Sequence, residues 1–174
     1  MKRTTAYAAT FTQETVMNIT GLFETHLMVT DLDRSMRFYQ DVLHLPFAYA
    51  VPERRAAFLW IGAPGSAMLG LWGSSAPLGL HLHLAFQMPV ADIIQAVDDL
   101  RAANIVPRGF NGVPCETPCV IGWMPAIALY FSDPDGHSLE FISMLPDPPR
   151  PEIGVVSWPD WQRLVGGAGA RERA

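Results

Sequence analysis

The chain is poor in features that would send it to a membrane, a nucleic acid or a thiolate cluster. No run approaches the roughly 18 consecutive apolar residues of a membrane helix. Acidic residues outnumber basic ones, 17 to 12, and a net charge of −5 argues against a clustered basic face for nucleic acid. Cysteine occurs only as Cys115 and Cys119. Two thiols cannot build a zinc cage, and Cys-x-x-x-Cys around Pro118 lacks redox-pair spacing, so both read as loop thiols. The first ten residues are too polar for a signal peptide, which makes the cytoplasm the expected location. Gly62, Gly65 and Gly70 are followed by no Gly-Lys-Ser/Thr, so no phosphate loop is expected.

What is present is ordinary globular composition, 49% apolar and 17% charged, in a chain of 174 residues long enough for one full core. Residues 1–20 show no period and read as an extension. From Gly21 the order is strand (22–29), helix (31–43, apolar at 32, 36, 39 and 43) and three strands near 46–51, 55–61 and 66–72. The order then repeats. A strand over 80–86 precedes a helix from Val90 to Ala103, a Pro- and Gly-rich loop over 106–125, and a hairpin of 126–131 with 138–144. Asp133-Pro134-Asp135-Gly136 supplies its turn. The expected fold is α+β: two paired βαβββ modules, about 21–73 and 80–145, whose curved mixed sheets enclose a metal-containing cleft. Residues 146–174 form a Pro-rich tail. In it Val155–Val165, with Trp158 and Trp161, reads as a short amphipathic turn on the body, and disorder is expected from Gly166.

Chemistry-bearing residues fall on corresponding strands. His26, His83 and Glu140 are equally spaced along the chain. Superposing the halves at their strand–helix starts puts His26 on His83, and superposing their last strands puts Gly70 on Glu140. A duplicated module thus offers four inward positions, three with ligand side chains and the fourth glycine. Two imidazoles and a carboxylate make an open divalent-metal site, suited to Fe(II) or Mn(II) and also compatible with Zn(II) or Ni(II). Tyr130 should lie directly opposite Glu140 in the hairpin, where its phenol could donate to a bound oxyanion or could simply be a core tyrosine. Met28, Met68, Trp72, Ala85 and Gln87 share the ligands' faces and read as a largely apolar substrate cleft. His81, two residues before His83, reads as a substrate contact or a polar rim residue, His44 as a helix-end structural residue, and His137 as a solvent-facing turn residue.

Three segments resemble the vicinal oxygen chelate superfamily, which groups glyoxalase I, extradiol dioxygenases, fosfomycin-resistance transferases and bleomycin-binding proteins. They are Thr25–Leu43, His83–Phe86 and Tyr130-Phe-Ser-Asp-Pro-Asp-Gly-His-Ser-Leu-Glu140. The resemblance covers roughly residues 21–145. It implies paired βαβββ modules, a metal on His26, His83 and Glu140, Tyr130 at the substrate, and modules of a kind that often pair across a dimer, so that one site can draw ligands from two chains. Departures narrow the reaction. The glutamate usual in glyoxalase I is Gly70 here. The histidine of the extradiol signature is missing around Ile121, Gly122 and Trp123. The fosfomycin-type threonine is Met28, and the lysine- and serine-rich loop is replaced by Pro107–Cys115. Bleomycin-type binders lose the ligands that this chain keeps.

The leading expectation is a metal-dependent enzyme on a small oxygenated, apolar or aromatic substrate chelated through vicinal oxygens, with ring-cleaving dioxygenase chemistry foremost. The alternatives are a sequestering or sensing protein without turnover, or a glyoxalase-like or fosfomycin-type enzyme. Because the ligands divide between the halves, the site forms where two modules meet, within one chain or between two chains; a homodimer is the favoured expectation, because Trp158 and Trp161 offer apolar surface to bury.

Overall fold

Alternate residues of the first strand disappear into the core. In β1 (Glu24–Val29), Leu27 and Val29 are fully buried while His26 and Met28 face outward, the period-two pattern of a sheet with one covered face. The computed structural model describes residues 20–171. The expected extension therefore lies outside the described residues, save Thr20.

Asp31 caps α1 (Leu32–Arg37) by accepting from the Arg34 amide at 3.0 Å. The helix then widens into a π turn (Phe38–Val42) that buries Phe38 and Tyr39, so the predicted 31–43 helix is two helical forms in series. His44 ends it in the left-handed region, φ 55°, a backbone role consistent with its structural reading. Strands β2 (Phe47–Val51) and β3 (Ala56–Ile61) are antiparallel, and β4 (Ala67–Gly73) returns beside β1 in parallel; the order is β1-β4-β3-β2.

The second module repeats this plan with β5 (His83–Gln87) and α2 (Val90–Ala102), which buries Ile93, Ala96, Val97 and Leu100 at helical spacing. Its missing strand lies in the predicted loop: β6 (Cys119–Ile121) pairs antiparallel with β7 (Ala126–Ser132). Three residues between Pro118 and Gly122 are too few to display a period. β7 and β8 (Ser138–Met144) form the predicted hairpin, with Tyr130 opposite Glu140. The tail departs from its expectation. Val155–Ser157 forms β9 on the outer edge of β6, and α3 (Trp158–Arg171) follows. The order is β5-β8-β7-β6-β9. Helical backbone continues through Arg171 where disorder was expected from Gly166. Gly122 admits this tail: a Cβ there would stand 2.6 Å from the Arg150 carbonyl oxygen and 2.8 Å from that of Gly154.

One cluster of buried residues runs through both modules, from Leu27, Tyr39 and Leu71 to Ile127, Leu139 and Trp161. Trp161 is 1% exposed and donates to Asp147 at 3.2 Å; it belongs to its own chain's core and offers no surface for a dimer. Among the described residues no helix is long and apolar enough to cross a membrane.

Candidate functional site

Because Leu27, Val29, Leu69 and Leu71 face the core, the alternating residues Glu24, His26, Met28, Met68, Gly70 and Trp72 share the open face of the first sheet. The His26 imidazole is half exposed and its Nε2–H donates to Glu24 Oε1 at 2.7 Å. Its ring takes the room above Gly70, where a Cβ would meet His26 Cδ2 at 2.5 Å and Phe58 Cε1 at 3.1 Å. Trp72 lies 5.4 Å from that imidazole, ring to ring, and carries the Arg54 guanidinium 4.5 Å above its own centre. Its indole Nε1 is buried without an acceptor among the described residues.

The second sheet presents His83, Ala85 and Gln87 of β5 beside Ser138 and Glu140 of β8. The side chain of Glu140 is only 7% exposed, and Oε2 accepts from His83 Nε2 at 3.0 Å. Among the described residues its other oxygen, Oε1, is buried in no well-formed hydrogen bond, although the Tyr130 hydroxyl lies against the carboxylate, a costly state for a carboxylate. Ser138 Oγ lies 3.2 Å from His83 Nδ1, and because Nε2 faces the carboxylate, the hydroxyl donates to Nδ1. Tyr130 stacks on His83 at 6.2 Å with 30° between planes. Burial, followed by the adjacent Glu140 carboxylate, holds its hydroxyl well above the ordinary phenol range. Paired backbone hydrogen bonds with Arg108 brace this strand, and Phe110 meets Tyr130 edge-on at 6.1 Å.

The predicted ligands thus form two half-sites. His83, Glu140 and Tyr130 come together in one module, and His26 stands with Glu24, Met28, Met68 and Trp72 in the other. Among the described residues no three His, Cys, Asp or Glu side chains of one chain converge as a metal cluster. A recess of about 480 Å³ lies instead between the π turn and α2, lined by Leu43, His44, Met88 and Ala96, away from both half-sites.

Four readings need correction. The superposition of halves is off by one pleat: His26 pairs with Gly70, but His83 pairs with Ser138, and Ala85 is the residue opposite Glu140. Taking Gly70 as the counterpart of Glu140, Glu24 holds in β1 the place that His83 holds in β5. His81 precedes β5, packing against Gly136 with its ring 6.1 Å from that of His137, so it does not continue the His83 face. His137 is 1% exposed rather than solvent-facing. It accepts from the Leu82 amide at Nδ1 and donates to the Met28 carbonyl from Nε2 at 2.7 Å. Cys119 is a buried strand residue with its thiol 3.4 Å from the Ala128 carbonyl oxygen, and burial pushes both cysteine thiols up. Glu24 was missed altogether, although its position two residues before His26 placed it on the same face.

Comparison with known proteins fits this architecture. Residues 21–141 match the model of the Glyoxalase/Bleomycin resistance protein/Dioxygenase superfamily. No curated protein matches the chain in sequence. An integron cassette protein from the mobile metagenome of the Halifax Harbour sewage outfall is 28% identical with a TM-score of 0.62, covering 72% of this chain and 100% of its own. The oxidase ChaP-H2 is 21% identical, TM-score 0.59, over 74% of this chain and 96% of its own. The fosfomycin resistance protein FosX from Listeria monocytogenes, complexed with Mn(II) and sulfate, is 22% identical, TM-score 0.55, over 74% and 93%. The paired βαβββ modules and the match over most of the chain place it in the glyoxalase/bleomycin resistance/dioxygenase superfamily, to which it belongs.

Proposed function

We propose that the protein is a metal-dependent enzyme that chelates a small apolar or aromatic molecule through two adjacent oxygens, with ring-cleaving dioxygenase chemistry as the leading reaction. The observation that carries this reading is the Glu140 carboxylate, buried with one oxygen on His83 and the other, among the described residues, in no well-formed hydrogen bond although the Tyr130 hydroxyl lies against the carboxylate. A buried anion so poorly partnered calls for a cation. The spacing suits one as well. Two donors about 2.1 Å from one ion and at right angles lie about 3 Å apart, and His83 Nε2 is 3.0 Å from Glu140 Oε2.

His83 and Glu140 would hold the ion together with His26. Since these do not meet within one chain, His26 comes from a second copy, in a twofold dimer with two equivalent sites. A divalent ion there would supply Lewis acidity toward the paired substrate oxygens and, as iron, reactivity toward dioxygen. Ser138 fixes the His83 ring through Nδ1 and so keeps Nε2 aimed at the ligand position. Tyr130, stacked on His83, is placed to donate a hydrogen bond to a substrate oxygen. Met28, Met68 and Trp72 give the substrate's apolar body a surface that excludes water.

Metal analysis of protein purified without chelators tests the reading. A near-stoichiometric transition metal, with iron or manganese preferred, is the expected result. A chain that carries none and takes up none on addition overturns it.

A further inference from the structure

We propose that Glu24 is a fourth protein ligand of the metal, the first module's substitute for a carboxylate at Gly70. The inference rests on the metal reading above and extends it to a residue outside the three-ligand set.

The plan of two equivalent modules leaves a position on β4 beside His26, and the residue there is Gly70. No side chain can enter without displacing the His26 ring, which already lies 2.5 Å from where a Cβ would stand. A carboxylate is nevertheless present on the same face, one pleat back along β1. Glu24 Oε1 lies 2.7 Å from His26 Nε2. In the second module the matching distance, His83 Nε2 to Glu140 Oε2, is 3.0 Å. Each module therefore carries one imidazole–carboxylate pair at the separation that two neighbouring ligands of a single ion adopt, about 3 Å. The second module builds its pair from two strands and the first from one.

Charge and coordination number agree with this assignment. In the His26 tautomer that carries its proton on Nδ1, Nε2 and Glu24 Oε1 would offer an ion one nitrogen and one oxygen lone pair 2.7 Å apart. Two carboxylates then match the charge of a divalent ion. An octahedral ion with four protein ligands keeps two positions, the number that a vicinal pair of substrate oxygens needs. With three ligands the site would carry a net positive charge and retain an additional water.

Mn(II) binding to the intact wild-type protein and to Glu24→Gln and Glu24→Ala variants tests this, with affinity measured by titration calorimetry and ion hydration by water-proton relaxation. Glu24 is partly exposed, and apo melting curves check that both variants fold. The expected result is an affinity loss of more than about tenfold, the lower bound known for outer-sphere partners, together with stronger relaxation as a further water joins the ion. Weaker binding with unchanged hydration shows that Glu24 only positions His26 and overturns the proposal. Unchanged affinity overturns it too and leaves the three-ligand reading standing. Failure of the wild-type protein to bind Mn(II), Fe(II), Co(II), Ni(II) or Zn(II) removes the metal reading and this proposal together.

Discussion

Tyr39 donates its hydroxyl to Asp133 Oδ2 at 3.0 Å across the boundary between the two modules. Both side chains are buried. The other Asp133 oxygen accepts the amides of Asp135 and His137, at 3.0 and 2.8 Å, which shapes the β7–β8 turn. Burial, followed by the Asp133 carboxylate, holds the phenol well above its ordinary range, so it remains a donor at any ordinary pH. Tyr39→Phe leaves a buried carboxylate oxygen short of a donor. The expected cost is about 1.5–3 kcal/mol, read as a lower urea midpoint with an unchanged m-value.

A second tie runs through Asp135, which accepts from the Arg34 guanidinium at 2.7 Å, from Ser35 Oγ at 3.1 Å and from Thr30. Burial alone would raise this carboxyl, but the hydrogen bonds from Thr30 and Arg34 outweigh it and hold the group below the usual carboxylate range. A depressed folded-state value contributes stability that is complete above the unfolded value and is lost as pH falls through the folded one. Asp135→Asn should therefore cost about 1–3 kcal/mol at pH 7. The gap from wild type should close as pH drops below about 4. Melting temperatures from pH 7 to pH 2.5 measure it, and a gap that widens in acid contradicts the assignment.

The strand alternation, the two helices and the hairpin register at Tyr130 and Glu140 were legible because each spans enough residues to show its period. Faces were legible too, which is why His26, Met28, Met68 and Trp72 fall together. Register between parallel strands was not. Sliding β5 by two residues against β8 keeps every side chain on its face, so the hydrophobic pattern cannot detect the slip, and the equal ligand spacing concealed it. β6 was hidden by its length of three residues, and β9 because its pairing with β6 depends on the close approach at Gly122. His137 was misplaced because turn composition suggests exposure, whereas its two hydrogen bonds link β1 to the second module.

Gly70 tests whether the His26 ring position matters. In Gly70→Ala the new methyl would stand 2.5 Å from His26 Cδ2 and 3.1 Å from Phe58 Cε1. The exposed imidazole is the group able to yield. Metal affinity should fall clearly, while overpacking costs about 1–3 kcal/mol of stability. Mn(II) titration and thermal melting separate the two effects. Full metal affinity in this variant would mean that the ring orientation over Gly70 is immaterial to binding.

With Trp161 accounted for inside its own core, the proposed assembly rests on the division of the proposed ligands between the two modules. His26→Ala and Glu140→Ala homodimers should each lose their metal, since every site lacks one ligand. In a mixed dimer, the His26→Ala chain still supplies His83 and Glu140, and the Glu140→Ala chain still supplies His26. One site per mixed dimer is then complete and the other lacks both. Co-expressing the two variants with different affinity tags, isolating the doubly tagged dimer and measuring its metal should return one equivalent per dimer. Sites formed within single chains would give none, because each chain of the mixed dimer carries its own defect. The result is independent of which metal is native, since the ratio of metal to mixed dimer decides it.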